Sequence, residues 1–283
     1  MVNYPQLIIL GTFAGLTIFL GLPIAVLRVC SRVKGFLNAF AIGILIFLIV
    51  DVLSHAWQST VDAAVGAFAG NVPIGSAVLD LLAMFGGLAV GLLGLTLYGR
   101  HYMKGASNAP PVVTGASSDG KRRHELRLLQ QVNSYRLSMM IAIGIGAHNL
   151  SEGLAIGQSY ASGAIELALV LIIGFAAHNA TEGFGIAAPL TRLSKRPSNR
   201  FLLLVGLVGG GPTFIGTLLG SLWVSPFAYV FFLSTAGGAL VYVTMLMFIA
   251  GRRQAAYSVL MFGFFLGLTA GFITDLIVTL GGA

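Results

Sequence analysis

Charge is what the 283-residue chain has least of: 9% of its positions are Asp, Glu, Lys or Arg, against 57% apolar, and the mean hydropathy is +0.91. A water-facing shell needs roughly 25–35% charged positions, so a soluble globular enzyme is excluded. With Cys30 as the single cysteine, an intrachain disulfide framework and a cysteine-based zinc knuckle are excluded as well. Residues 1–6 carry no basic side chain ahead of the first apolar run, which is therefore expected to be a permanent helix rather than a cleaved signal.

What is present is apolar sequence in long continuous runs. Eight of them can cross about 30 Å of hydrocarbon at about 1.5 Å per residue: residues 7–27, 35–57, 74–98, 137–160, 167–190, 201–224, 227–250 and 257–280. Their apolarity does not alternate, so they are expected to be helices and not barrel strands. All 16 Lys and Arg residues fall in the connections after spans one, three, five and seven, and the remaining connections and both tails have none. Positively charged loops stay in the cytoplasm, which puts both termini outside. The same placement accounts for the net charge of +7, so no nucleic-acid partner is implied. The expectation is an all-α polytopic membrane protein of eight transmembrane helices, one domain over residues 1–283. A flexible cytoplasmic loop is expected at 101–135, with a short amphipathic helix at 121–131.

An ionisable side chain inside a span is costly unless it has a partner, a water path or a ligand. Spans four and five carry two copies of one motif, Ala147-His148-Asn149-Leu150-Ser151-Glu152-Gly153 and Ala177-His178-Asn179-Ala180-Thr181-Glu182-Gly183, offset by 30 residues. His and Glu four apart lie on one helix face, about 6 Å along the axis. Each histidine is roughly 16 Å into its span, near mid-membrane. A short link at 161–166 makes the two helices antiparallel neighbours, so His148, Glu152, His178 and Glu182 can surround one point, a donor set suited to a divalent first-row cation. A buried His–Glu hydrogen bond stapling two helices would explain one copy; the duplication argues against it. Glycines in both spans, with Gly153 and Gly157 as a small-residue stripe, suit close packing.

The other acids gather toward the outside. Asp51 and His55 form a further i, i+4 pair of ligand types in the outer part of span two, expected to meet the ion first or to add a fifth ligand. Asp80 in span three and Asp275 in span eight are expected along the entrance pathway, and together these acids would draw cations inward. Pro212, after three glycines, is expected to interrupt span six.

At the two motifs the sequence resembles the ZIP family, the Zrt- and Irt-like transporters of zinc, iron and related divalent cations. The resemblance implies a 3+2+3 arrangement of eight spans, inverted pseudosymmetry between spans one to three and six to eight, and a transport site of His148, Glu152, His178 and Glu182. It also implies that Asn149 and Asn179 belong to a neighbouring second metal position. Asp51-Val-Leu-Ser-His55-Ala is similar to the family's second-span His-x-Leu-Pro-Glu-Ala pattern, with Asp51 in place of His and His55 in place of Glu. Gly211 stands before Pro212, where many members have Glu, and no repeat linking the two sets of three spans stands out.

The expected function is transport of divalent metal, zinc foremost with iron, manganese or cadmium as substitutes, into the cytoplasm across a cell membrane, the inner one in a prokaryote. The chain is expected not to be an enzyme and to hold no prosthetic group; its partners are the metal ion, the lipid bilayer and, admitted but not required, a second copy of itself. Three rivals come from other classes. A di-metal oxidase expects Glu-x-x-His spacing, and an intramembrane metalloprotease expects His-Glu-x-x-His; neither pattern is present. A proton- or sodium-coupled carrier of an organic solute remains open.

Overall fold

A computed structural model of the chain describes residues 3–27, 30–107, 119–161, 163, 165–193, 195–222, 225–251 and 255–280. Among these residues all regular structure is helical: α1 (Tyr4–Leu16), α2 (Ser31–Phe68), α3 (Ile74–Ala89), α4 (Leu95–Ser107), α5 (Asp119–Ala161), α6 (Ile165–Ala187), α7 (Asn199–Leu222), α8 (Pro226–Gly251) and α9 (Tyr257–Leu280). A π turn, Val90–Gly94, joins α3 and α4. Seven segments among the described residues are long and apolar enough to cross a membrane. Between the fourth and fifth of them lies α6, 23 residues long, which carries the second motif copy. The chain is an all-α polytopic membrane protein.

Local chemistry sets the ends of these helices. Asn3 caps α1 by accepting a hydrogen bond from the Gln6 backbone at 3.3 Å, with Pro5 in the first turn. Gly163, at φ 85°, supplies the left-handed residue of the α5–α6 link. Two elements are longer than expected. α2 has 38 residues, about 57 Å, and so continues beyond residue 57. α5 has 43 residues and absorbs the expected amphipathic helix at 121–131 into one rod. Within the expected loop at 101–135, residues 101–107 and 119–135 are therefore helical, and 108–118 lie outside the described residues.

The first span is not one regular helix. After Leu16 it tightens into two 3₁₀ turns, Thr17–Leu20 and Leu22–Ala25, the second with Pro23 at its start. Conversely, Pro212 does not interrupt α7. Proline frees the carbonyl four residues back, that of Val208, and a neighbour covers it: Gly146 of α5 lies against the Val208 oxygen and the Pro212 ring. The Asn149 amide of the same helix donates to the next carbonyl, Gly209, at 3.0 Å.

These contacts belong to a set that is made twice. Asn179 of α6 donates to Ala14 of α1 at 3.1 Å, as Asn149 of α5 does to Gly209 of α7. Gly183 faces the carbonyl of Ile18, as Gly153 faces that of Thr213; Gly21 faces Ala180, as Gly216 faces Leu150. Each pair in α1 and α7 differs by 195 in number, and each pair in α6 and α5 by 30. Farther along the chain, Gly43 packs on Phe264 and Leu268, and Gly238 on Leu88 and Leu92; the two glycines are again 195 apart, and their partners in α9 and α3 are 176 apart. The α1–α2 unit thus repeats as α7–α8, and α3 as α9. Gly15 and Gly210 each face the other's carbonyl where α1 and α7 cross. α1 runs parallel to α6 and α7 parallel to α5, while α5 and α6 are antiparallel, so the two units are inverted with respect to each other. The sequence carries the repeat in Gly11/Gly206, Gly15/Gly210, Phe19/Phe214 and Gly21/Gly216.

Where lipid is as apolar as the side chains, such close backbone approach is what holds helices together. Adding a methyl at Gly210 places it on the Gly15 carbonyl, whereas one at Gly211 meets nothing within 4 Å among the described residues. Gly210→Ala should cost about 1–3 kcal/mol by overpacking, and Gly211→Ala should be neutral or gain up to about 1 kcal/mol in helix propensity. Thermal unfolding in detergent, measured side by side for the two variants, checks this.

Candidate metal centre

The motif helices α5 and α6 pass antiparallel with their His–Glu faces turned inward, and the His148 and His178 ring centroids are 6.3 Å apart. Glu152 Oε1 lies 3.1 Å from His148 Nε2 and in hydrogen-bonding contact with His178 Nε2, so one carboxylate oxygen spans both imidazoles. Glu182 Oε1 lies 3.8 Å from His148 Nε2. Ligand atoms of His148, Glu152 and His178 all fall within 4.8 Å of one another. The four side chains are between 1% and 8% exposed, too little for bulk water to solvate them.

Partners for these groups are short. Both ring nitrogens of His148, Oε2 of Glu152, both carboxylate oxygens of Glu182 and the Oδ1 atoms of Asn149 and Asn179 have no hydrogen-bond partner among the described residues. The His148–Glu152 approach is close without hydrogen-bond geometry. Most of these atoms are lone-pair donors, and buried polar atoms are ordinarily paired. A buried cluster of unpaired lone pairs is the arrangement a cation would compensate, and mixed imidazole and carboxylate donors fit a divalent first-row ion. Helix geometry keeps the cluster rigid: Ser151 and Thr181 return their hydroxyls to the His148 and His178 carbonyls at 2.7 and 2.6 Å. Asn149 and Asn179 spend their amide nitrogens on α7 and α1, and their oxygens are left unpaired among the described residues.

A cavity of about 530 Å³ reaches this cluster from one side. His148, Glu152 and His178 are on its wall, with Asp51 and His55 from α2 and Asp275 from α9 toward its mouth. Two of the expected residues are not among the lining residues: Asp80, which is buried on α3, and Glu182, which is buried beside His148. His55 directs Nδ1 at the Asp51 backbone oxygen (2.9 Å) and at its carboxylate (3.3 Å). In the tautomer that donates from Nδ1, Nε2 stays free to take a metal. Gln158 and Tyr229 also line the wall. Gln158 went unnoticed in the sequence, yet it continues the stripe His148, Glu152, Ala155 at helical spacing.

The opposite side of the cluster is filled. Ile141, Ile145, Ile186, Leu190 and Met247 are fully or almost fully buried there. Beyond them the Lys34 ammonium donates to the Thr191 carbonyl at 2.9 Å, and Arg136 covers the Tyr102 ring at 5.6 Å, so basic residues from separate connections share that end. At the far end Tyr160 donates to the Gln6 side chain at 2.8 Å.

No curated protein matches the chain. The family model described as ZIP zinc transporter matches residues 99–279, a stretch that begins in α4, includes both motif copies and amounts to more than half of the sequence. With a duplicated His–Glu cluster buried between antiparallel helices inside that stretch, the chain belongs to the ZIP zinc transporter family.

Proposed function

We propose that the protein carries divalent metal ions, zinc foremost, across the membrane into the cytoplasm through the His148–Glu152–His178–Glu182 cluster between α5 and α6. The observation that carries this reading is the convergence of unpaired imidazole and carboxylate lone pairs at one buried point reached by a cavity. Family membership supports transport of a divalent metal over catalysis.

The cavity, open at Asp51, His55 and Asp275, is the outer vestibule in this reading, because the basic connections lie at the other end and positive charge stays in the cytoplasm. A hydrated ion is attracted by the two carboxylates and exchanges some water for Asp51 and for His55 Nε2. It then passes to the deep donors, which replace the rest. The packed layer around Ile145, Ile186 and Met247 holds the inner side shut while the outer side is open, as alternating access requires. Consistent with the second metal position that the family resemblance implies, the unpaired oxygens of Asn149 and Asn179 would add weaker donors beside the cluster. Gly211 contributes no side chain there, so any second ion is held more weakly than the first.

Zinc influx into proteoliposomes tests the assignment. His148→Ala or His178→Ala should lower uptake at least about 10²-fold, since even indirect loss of ligand support costs about 10–100-fold in metal affinity; uptake unchanged in both would refute the site. Asp51→Asn and His55→Ala should instead raise the external half-saturation concentration about threefold to tenfold with little change in maximal rate, because a capture group acts before the rate-setting step. Influx should fall as external pH is lowered from about 7.5 to 5.5, because a proton on imidazole removes the lone pair that binds metal. A rate rising over that range would contradict imidazole ligation.

A further inference from the structure

The two units related by the 195-residue and 30-residue offsets make equivalent packing contacts, yet the site between them is lopsided. Glu152 touches both imidazoles and lines the cavity; its equivalent, Glu182, approaches only His148 Nε2, at 3.8 Å, and does not line it. The walls are lopsided in the same sense. Cavity-lining Phe47, Val52 and Gly174 correspond to Tyr242, Met247 and Gly144, of which Met247 and Gly144 are buried and Tyr242 is half-buried against α4. A methyl on Gly144 would strike Val243, one on Gly99 the Tyr242 hydroxyl, and one on Gly185 would come 2.9 Å from Met247 Sδ. An inverted repeat that is open at one end and closed at the equivalent positions of the other occupies one of two mirrored states.

In the mirrored state the roles of the repeats exchange. Glu182 then spans the two imidazoles and faces the newly opened path along Gly144, Tyr242 and Met247, and Glu152 withdraws behind them. We propose that the two motif glutamates divide the ion between the faces of the membrane: Glu152 is the carboxylate ligand of the state open to the Asp51–His55 mouth, Glu182 that of the state open to the opposite side, and His148 and His178 serve both. The proposal deepens the transport reading and rests on it. It also accounts for the Glu182 carboxylate, buried with neither oxygen hydrogen-bonded among the described residues in the state seen here. Each half-cycle then exchanges one carboxylate for the other without stripping the ion of its imidazoles. The two paths differ beyond the cluster: Asp51, His55 and Asp275 correspond to Leu246, Ala250 and Gly99, so an ion released through the second path meets no further ligand at those positions.

The test is sidedness. In proteoliposomes of known orientation, zinc flux is measured in both directions for the wild type, Glu152→Gln and Glu182→Gln. Glu152→Gln should raise the half-saturation concentration about tenfold or more at the face bearing Asp51 and His55 and by less than about threefold at the other; Glu182→Gln should do the reverse. Where a variant passes too little zinc to measure, zinc binding to the purified protein in detergent, in the state open toward Asp51, decides: affinity should fall about tenfold or more in Glu152→Gln and less than about threefold in Glu182→Gln. Equal losses at both faces, or equal losses of binding, would overturn the division and leave the transport reading standing. A wild type that binds zinc and passes none in either direction would overturn that reading itself.

Discussion

The structure depends on the cost of holding unpaired polar groups in hydrocarbon. Two imidazoles and two carboxylates are buried together, and apart from the His178–Glu152 hydrogen bond several of their donor atoms have no partner among the described residues. A purely structural cluster would be expected to pair off, because a half-satisfied buried network is worse than an apolar one. In the proposed function, an ion that arrives, binds and leaves would resolve the conflict without a permanent counter-charge. The cavity on one side and the filled layer on the other then become parts of one device.

Glycine makes that device geometrically feasible. Gly153 and Gly183 immediately follow the motif glutamates and bring α5 onto Thr213 of α7 and α6 onto Ile18 in the 3₁₀ turn after α1, so each motif helix is braced by its own broken or proline-bearing partner. Thr17 and Pro212 occupy equivalent places. At one, a 3₁₀ turn begins; at the other, a ring removes a donor, and both times a motif asparagine covers a nearby carbonyl. The asparagines thus tie the ligands to the helices whose irregularities lie beside them, which couples any movement of those helices to the donor set.

Much of this was legible in the residues. The apolar runs gave the helices, and the duplicated His-x-x-x-Glu gave the convergence of His148, Glu152, His178 and Glu182, because helical spacing and a short link leave those faces little choice. Less legible were features set by neighbours. Pro212 reads as a break, and only the arrival of Gly146 and Asn149 explains why α7 continues. The 195-residue repeat is carried by glycines scattered among interchangeable aliphatic residues, so it emerges from contacts rather than from letters. Asp80 and Asp275 look alike in sequence, as acids near outer ends of spans, yet only Asp275 lines the cavity. The inequality of Glu152 and Glu182 could not be read from two copies of one motif, since both copies place His and Glu at the same spacing.

X-ray absorption at the zinc edge of the zinc-loaded protein measures the donor set directly. The account requires a first shell of nitrogen and oxygen at about 2.0–2.2 Å with the outer-shell scattering of two imidazoles, lost in a His148→Ala/His178→Ala double variant. A sulfur shell at about 2.3 Å, or a spectrum unchanged in the double variant, would place the ion elsewhere and contradict it.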